Sequence, residues 1–152
     1  MVVMSIVLLL AGEPPVIEVT PVPLVRAGPA QGEVVMEYDQ AWANKGVKPM
    51  APLIQGVADR FDMILADYPS ARFREVTLGY RELKMVMCGY YNAKNQMGAY
   101  VGWAPFYAIS DGQSVNVRTY GPDEDVPYSY RYHCEGPTAW IPGDYAKTLT
   151  FK

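Results

Sequence analysis

Between Pro52 and Pro69, the apolar residues Leu53, Ile54, Val57, Phe61, Ile64 and Leu65 recur at spacings of three and four. Asp59, Arg60, Asp62 and Asp67 fall on the other side. This periodicity predicts an amphipathic helix with one proline in its first turn and another just past its end. A helix with a single oily face needs a surface to cover, and the chain that follows supplies one. Residues 71–80, 82–92, 99–109, 114–120 and 128–134 read as strands separated by short turns. Strands joined so closely pair antiparallel. The fold class is therefore expected to be α+β: one amphipathic helix packed on a four- to five-stranded antiparallel meander.

At 152 residues, the chain has the length of one domain with a real core. Residues 13–32 hold five prolines, so they should form an extended Pro-rich linker between an apolar segment, 1–12, and a single α+β domain, 33–152. Residues 33–49 fit either a strand that turns at Asn44-Lys45-Gly46 or a short helix over Tyr38–Ala43. The net charge of -3 and pI near 5.1 remove the usual electrostatic basis for nucleic-acid binding. Arg72, Arg74, Arg81, Lys84 and Lys94 nevertheless outnumber nearby acids, a pattern read first as a solvated sheet edge.

The opening run, MVVMSIVLLLAG, has the length of a secretory h-region and is too short to span a bilayer. It lacks a leading Lys or Arg, a clean small-x-small cleavage site and a lipobox cysteine. A signal peptide is the expectation, which puts the mature chain in the periplasm or outside the cell. An ordered first strand or buried arm is the alternative.

Pro69, Ser70, Ala71, Phe73 and Arg74 are followed by Cys88, Gly89, Asn92, Lys94, Asn95, Gly98, Tyr100 and Gly102. This pattern resembles one that recurs in small bacterial and phage-borne proteins, many of them carrying signal peptides or lipoboxes. The likeness covers about 40 residues. It departs at Tyr90, where that pattern is often acidic, and in the missing lipobox. The resemblance implies an envelope location and this fold; it implies no activity.

Cys88 and Cys134 are the only cysteines, and an even count in an exported chain favours a disulfide between them. Two buried free thiols are the alternative. A catalytic cysteine is disfavoured: the sole histidine, His133, adjoins Cys134, and on a strand the two would face opposite ways. With one histidine and no metal-ligand spacing, no cofactor or metal is expected. Asp123, Glu124 and Asp125 lack a calcium-loop spacing and read as a solvent loop.

Two features are candidates for recognition. In CGYYNAKNQMGAY (88–100), Asn92, Lys94 and Asn95 occupy a turn. Amide side chains there replace missing ladder bonds or else project toward a partner. Tyr128, Tyr130 and Tyr132 alternate with Ser129, Arg131 and His133, so a strand would carry one aromatic face, continued by Trp103, Tyr100 and Tyr107. That face is either covered by the helix or left bare as a platform for a protein or a glycan. The expected function is non-enzymatic binding in the envelope or outside the cell, as for an inhibitor, an immunity protein or a glycan binder. The alternatives are a structural subunit such as a virion component and, third, a small hydrolase drawing on His133, Asp111, Asp123 and Glu124. No oligomeric state follows from the sequence.

Overall fold

A computed structural model describes residues 31–150; the expectation for residues 1–12 and that for the linker 13–32, apart from its last two residues, which begin a helix, lie outside that range. Helix α1 (Gln31–Ala43) ends at a turn where Gly46 takes φ +76, and a 3₁₀ turn (Lys48–Met50) leads into helix α2 (Ala51–Ile64). A second 3₁₀ turn (Tyr68–Ser70) precedes β1 (Arg72–Arg81), β2 (Lys84–Asn92), β3 (Ala104–Ser110) and β4 (Val115–Thr119). Helix α3 (Tyr128–Cys134), strand β5 (Ala139–Ile141) and helix α4 (Ala146–Leu149) complete the described chain. Among the described residues the strands form one antiparallel sheet in the order β4-β3-β2-β1-β5. The α+β meander is therefore present, extended at one edge by β5.

Alternation along the strands divides the sheet into two faces. One carries Val76, Leu78, Met87, Phe106 and Ala108, and α2 buries Leu53, Val57 and Phe61 against it. Phe61 lies at the centre, its ring 5.1–5.2 Å from those of Phe73, Tyr91 and Phe106. Fully burying each such side chain stabilises by about 1.5–3 kcal/mol. The expected stripe is correct for these residues, but Ile64 at its end is exposed. Where α2 crosses β4, a Cβ on Gly56 would stand 2.6 Å from Val115 Cγ2, so this close approach requires glycine.

The opposite face carries Val86, Cys88 and Tyr107, and here the structure corrects the expectation. Residues 128–134 form helix α3, which lies over this second face with Tyr130 buried beneath it. The tyrosines were expected to alternate along a strand; in fact Tyr128 and Tyr132 share one helix face and Tyr130 points the other way. Cys88 and Cys134 form a disulfide with α-carbons 5.8 Å apart, joining β2 to the end of α3.

The β1–β2 turn is Glu82-Leu83, both left-handed at φ 49 and 64. The buried Asp39 of α1 supports it, accepting the Leu83 N–H at 2.9 Å. A bulge between Arg74 and Thr77, with Glu75 at φ 51, frees the Val76 N–H. That donor goes to Asp144 Oδ1 at 3.0 Å, and Tyr68 donates to the Leu149 carbonyl at 2.6 Å. The C-terminal segment is thereby tied to the α2 side of the sheet.

Candidate functional site

Upstream of the bulge, β1 pairs Arg72 with Asn92 and Arg74 with Tyr90. The two-residue period directs both arginines to the same side as Tyr90. The Arg74 guanidinium lies 4.4 Å from the Trp103 ring centroid and 5.5 Å from that of Tyr90. Arg72 sits 4.4 Å from Tyr100, and Lys94 Nζ reaches the same ring at 5.6 Å. Lys94 and Tyr100 also face each other as an isolated antiparallel pair. Tyr100 is fixed from below, its hydroxyl donating to the Ser70 carbonyl at 2.9 Å. Three cations interleaved with three aromatic rings thus make a ledge along one end of the sheet. The acid beside it, Glu75, is only loosely engaged, 3.9 Å from Arg74 Nε.

The loop over this ledge owes its shape to two amides. Asn92 Oδ1 accepts the Gly102 N–H at 3.2 Å, and Asn95 Oδ1 accepts those of Met97 and Ala99 at 2.9 and 3.1 Å. Gly98 supplies the left-handed residue at φ +79. At the tip, Met97 is 89% exposed, with Val101 also bare. The stretch 88–100 therefore builds a hairpin extension and also presents an apolar tip beside the cationic ledge.

Helix α3 holds the remaining candidates. Tyr128, 78% exposed, lies 5.9 Å from Tyr132 between ring centroids. The Tyr132 hydroxyl donates to Glu82, and its carbonyl accepts from Arg81, whose guanidinium sits 3.7 Å from the Tyr132 ring. Tyr130 is 7% exposed and packs edge-on to Tyr107 and Tyr120. Burial, then the neighbouring Tyr90, pushes its hydroxyl far above the ordinary phenol range. His133 stacks on Tyr107 at 5.3 Å, and its Nδ1 has no hydrogen-bond partner among the described residues. Burial, then Arg81 and Lys84, lowers its pKa, which favours the neutral ring.

The seven residues expected to bind therefore separate. Lys94 and Trp103 belong to the ledge, Asn92 and Asn95 shape its loop, Tyr128 and Tyr132 lie on α3, and Tyr130 lies under α3. Arg72, Arg74 and Tyr90 were not among them; the sequence signal was the alternating Arg-x-Arg beside an aromatic strand. Both cysteines are held in the disulfide, so neither is a thiol nucleophile. Among the described residues, no group of three or more His, Cys, Asp or Glu is placed to hold a metal ion. The acids at 123–125 are exposed, and Glu124 accepts the Gly121 N–H at 2.8 Å. No described helix is long and apolar enough to cross a membrane. Comparison with protein-family models, with curated proteins and with solved structures gives no match.

Proposed function

We propose that this chain is a non-enzymatic binding protein of the cell envelope or exterior, and that the ledge of Arg72, Arg74, Lys94, Tyr90, Tyr100 and Trp103 grips an acidic segment of a partner protein. The observation that carries this reading is the Arg74 guanidinium over two rings, 4.4 Å from the Trp103 centroid and 5.5 Å from that of Tyr90. On a chain of net charge -3, the ledge collects three positive charges against one long ion pair, Arg74 with Glu75 at 3.9 Å. Stacked guanidinium groups keep their N–H edges available for carboxylates in a bidentate geometry. A cation–π contact worth about 0.5–1 kcal/mol when exposed strengthens to about 2 kcal/mol as a partner removes water. The exposed Met97 favours a protein over a glycan, because a pliable thioether adapts to an apolar side chain. The disulfide supports an oxidising compartment, in keeping with the apolar N-terminal run.

The test places a photo-crosslinking residue at position 97 of the full chain, in the host that carries it. We expect a defined partner to be trapped, and the combined Arg74→Ala and Trp103→Ala changes to abolish trapping while circular dichroism stays unchanged. Equal trapping by the double variant would refute the assignment.

A further inference from the structure

A cleft separate from the ledge opens between helix α1 and the β1–β2 hairpin. It encloses about 280 Å³, near the lower end of ligand pockets, and its walls include Tyr38, Trp42, Tyr80, Met85, Ser110 and Asp111. Trp42 is the middle ring of three, 6.1 Å from Tyr38 and 6.0 Å from Tyr80 between centroids. The Tyr80 side chain is the unusual element: the residue is 6% exposed, and its hydroxyl has no hydrogen-bond partner among the described residues. A buried hydroxyl left in that condition is unfavourable, so a guest that bonds to it gains more than an exposed group would give.

The surroundings decide the guest's charge. Lys45 Nζ already lies 3.5 Å from the Trp42 centroid, so an ammonium guest meets a like charge. Asp111 on the rim turns away anions. Its carboxyl is held below the usual range by the N–H groups of Ser114 and Gln113, and it stays ionised. A neutral guest remains. Burial holds Tyr80 in its protonated, donating form. Ser110 Oγ accepts the Gly112 N–H at 3.1 Å and keeps its own hydrogen to give, while Asp111 can accept.

We propose that this cleft binds a neutral pyranose ring, its apolar face against the Trp42 and Tyr38 rings and its hydroxyls bonded to Tyr80, Ser110 and Asp111. Rings offer a flat apolar wall for the sugar's C–H face, and Tyr80, Ser110 and Asp111 line the same cleft. The site is independent of the ledge.

The test titrates the full chain with methyl β-D-glucopyranoside, methyl β-D-galactopyranoside and N-acetylglucosamine, followed by amide and indole N–H shifts. At least one probe should saturate, with shifts centred on Trp42 and Ser110. Tyr80→Phe should weaken that binding about five- to tenfold, the loss of one hydrogen bond from a buried donor. Its unfolding midpoint should stay level or rise, because the deleted hydroxyl has no hydrogen-bond partner among the described residues. Failure of all three sugars to saturate overturns the proposal. So does a lowered midpoint in Tyr80→Phe, or displacement of the sugar by choline or acetate. Arg74→Ala with Trp103→Ala should leave sugar binding intact, so the two sites stand or fall separately; loss of sugar binding in that variant also overturns it.

Discussion

Cys88 and Cys134, with α-carbons 5.8 Å apart, attach the end of helix α3 to the sheet face that α2 does not cover. The seven-residue α3 is too short to persist alone, since isolated helices below about 12 residues are marginal. Its stability comes from the disulfide and from Tyr130 seated on Tyr107 and Tyr120. The bridge closes 46 residues of chain, which in the chain-entropy model stabilises by about 4 kcal/mol. Urea unfolding of Cys88→Ser with Cys134→Ser should show a loss of about 3–4 kcal/mol. A loss below about 1 kcal/mol would mean that α3 is held by packing alone.

The contact between α2 and β4 sets a second expectation. Alanine is normally favoured over glycine within a helix by about 1 kcal/mol. At position 56 the added methyl meets Val115, a stiff β-branched side chain at 2.6 Å, so overpacking wins. Gly56→Ala should destabilise by about 1–3 kcal/mol. Adding Val115→Ala should recover most of that. Thermal or urea unfolding of the two variants checks both statements, and a more stable Gly56→Ala protein would contradict this packing.

The histidine of α3 makes stability depend on pH. Folding lowers the His133 pKa below its ordinary 6.5, through burial and then through Arg81 and Lys84, with Glu82 opposing. Below that pH the unfolded chain takes up a proton that the folded chain resists. The contribution is therefore fully present above about pH 6.5 and is lost as the pH falls toward the lowered folded value. His133→Phe keeps a ring against Tyr107 and removes the titration. Its stability should fall less between pH 6.5 and 5 than that of the parent, as measured by urea midpoints. Parallel pH curves would contradict the assignment.

The legible parts of the fold had long, unmixed periods. Leu53, Val57 and Phe61 announced α2, and the bounds of β1, β2 and β4 fall within two residues of those read from alternation. The disulfide followed from an even cysteine count. Helix α3 was misread because Tyr-Ser-Tyr-Arg-Tyr-His-Cys alternates aromatic and polar residues as a strand does. Tertiary contacts at Tyr130 and Cys134 overrode that pattern, so propensity was a poor guide to seven residues. Strand β5 and helix α4, three and four residues long, are shorter than any periodicity window. Trp103 was assigned to a strand that actually begins at Ala104. The ledge could be seen only in fragments. Arg72, Arg74 and Lys94 stood out as cations and Trp103 and Tyr100 as rings, but their stacking depends on the β1–β2 register and on the bulge at Glu75, which no local pattern specifies.

The central claim is that the interleaved arginines and rings bind acidic protein. Its most direct test titrates the ¹⁵N-labelled chain with a poly-L-glutamate peptide at low and at physiological salt. The predicted result is saturable shifts at Arg72, Arg74, Lys94, Tyr100 and the Trp103 indole, weakened by salt and lost in Arg74→Ala with Trp103→Ala. Shifts scattered over the surface, or unchanged in that double variant, would contradict it.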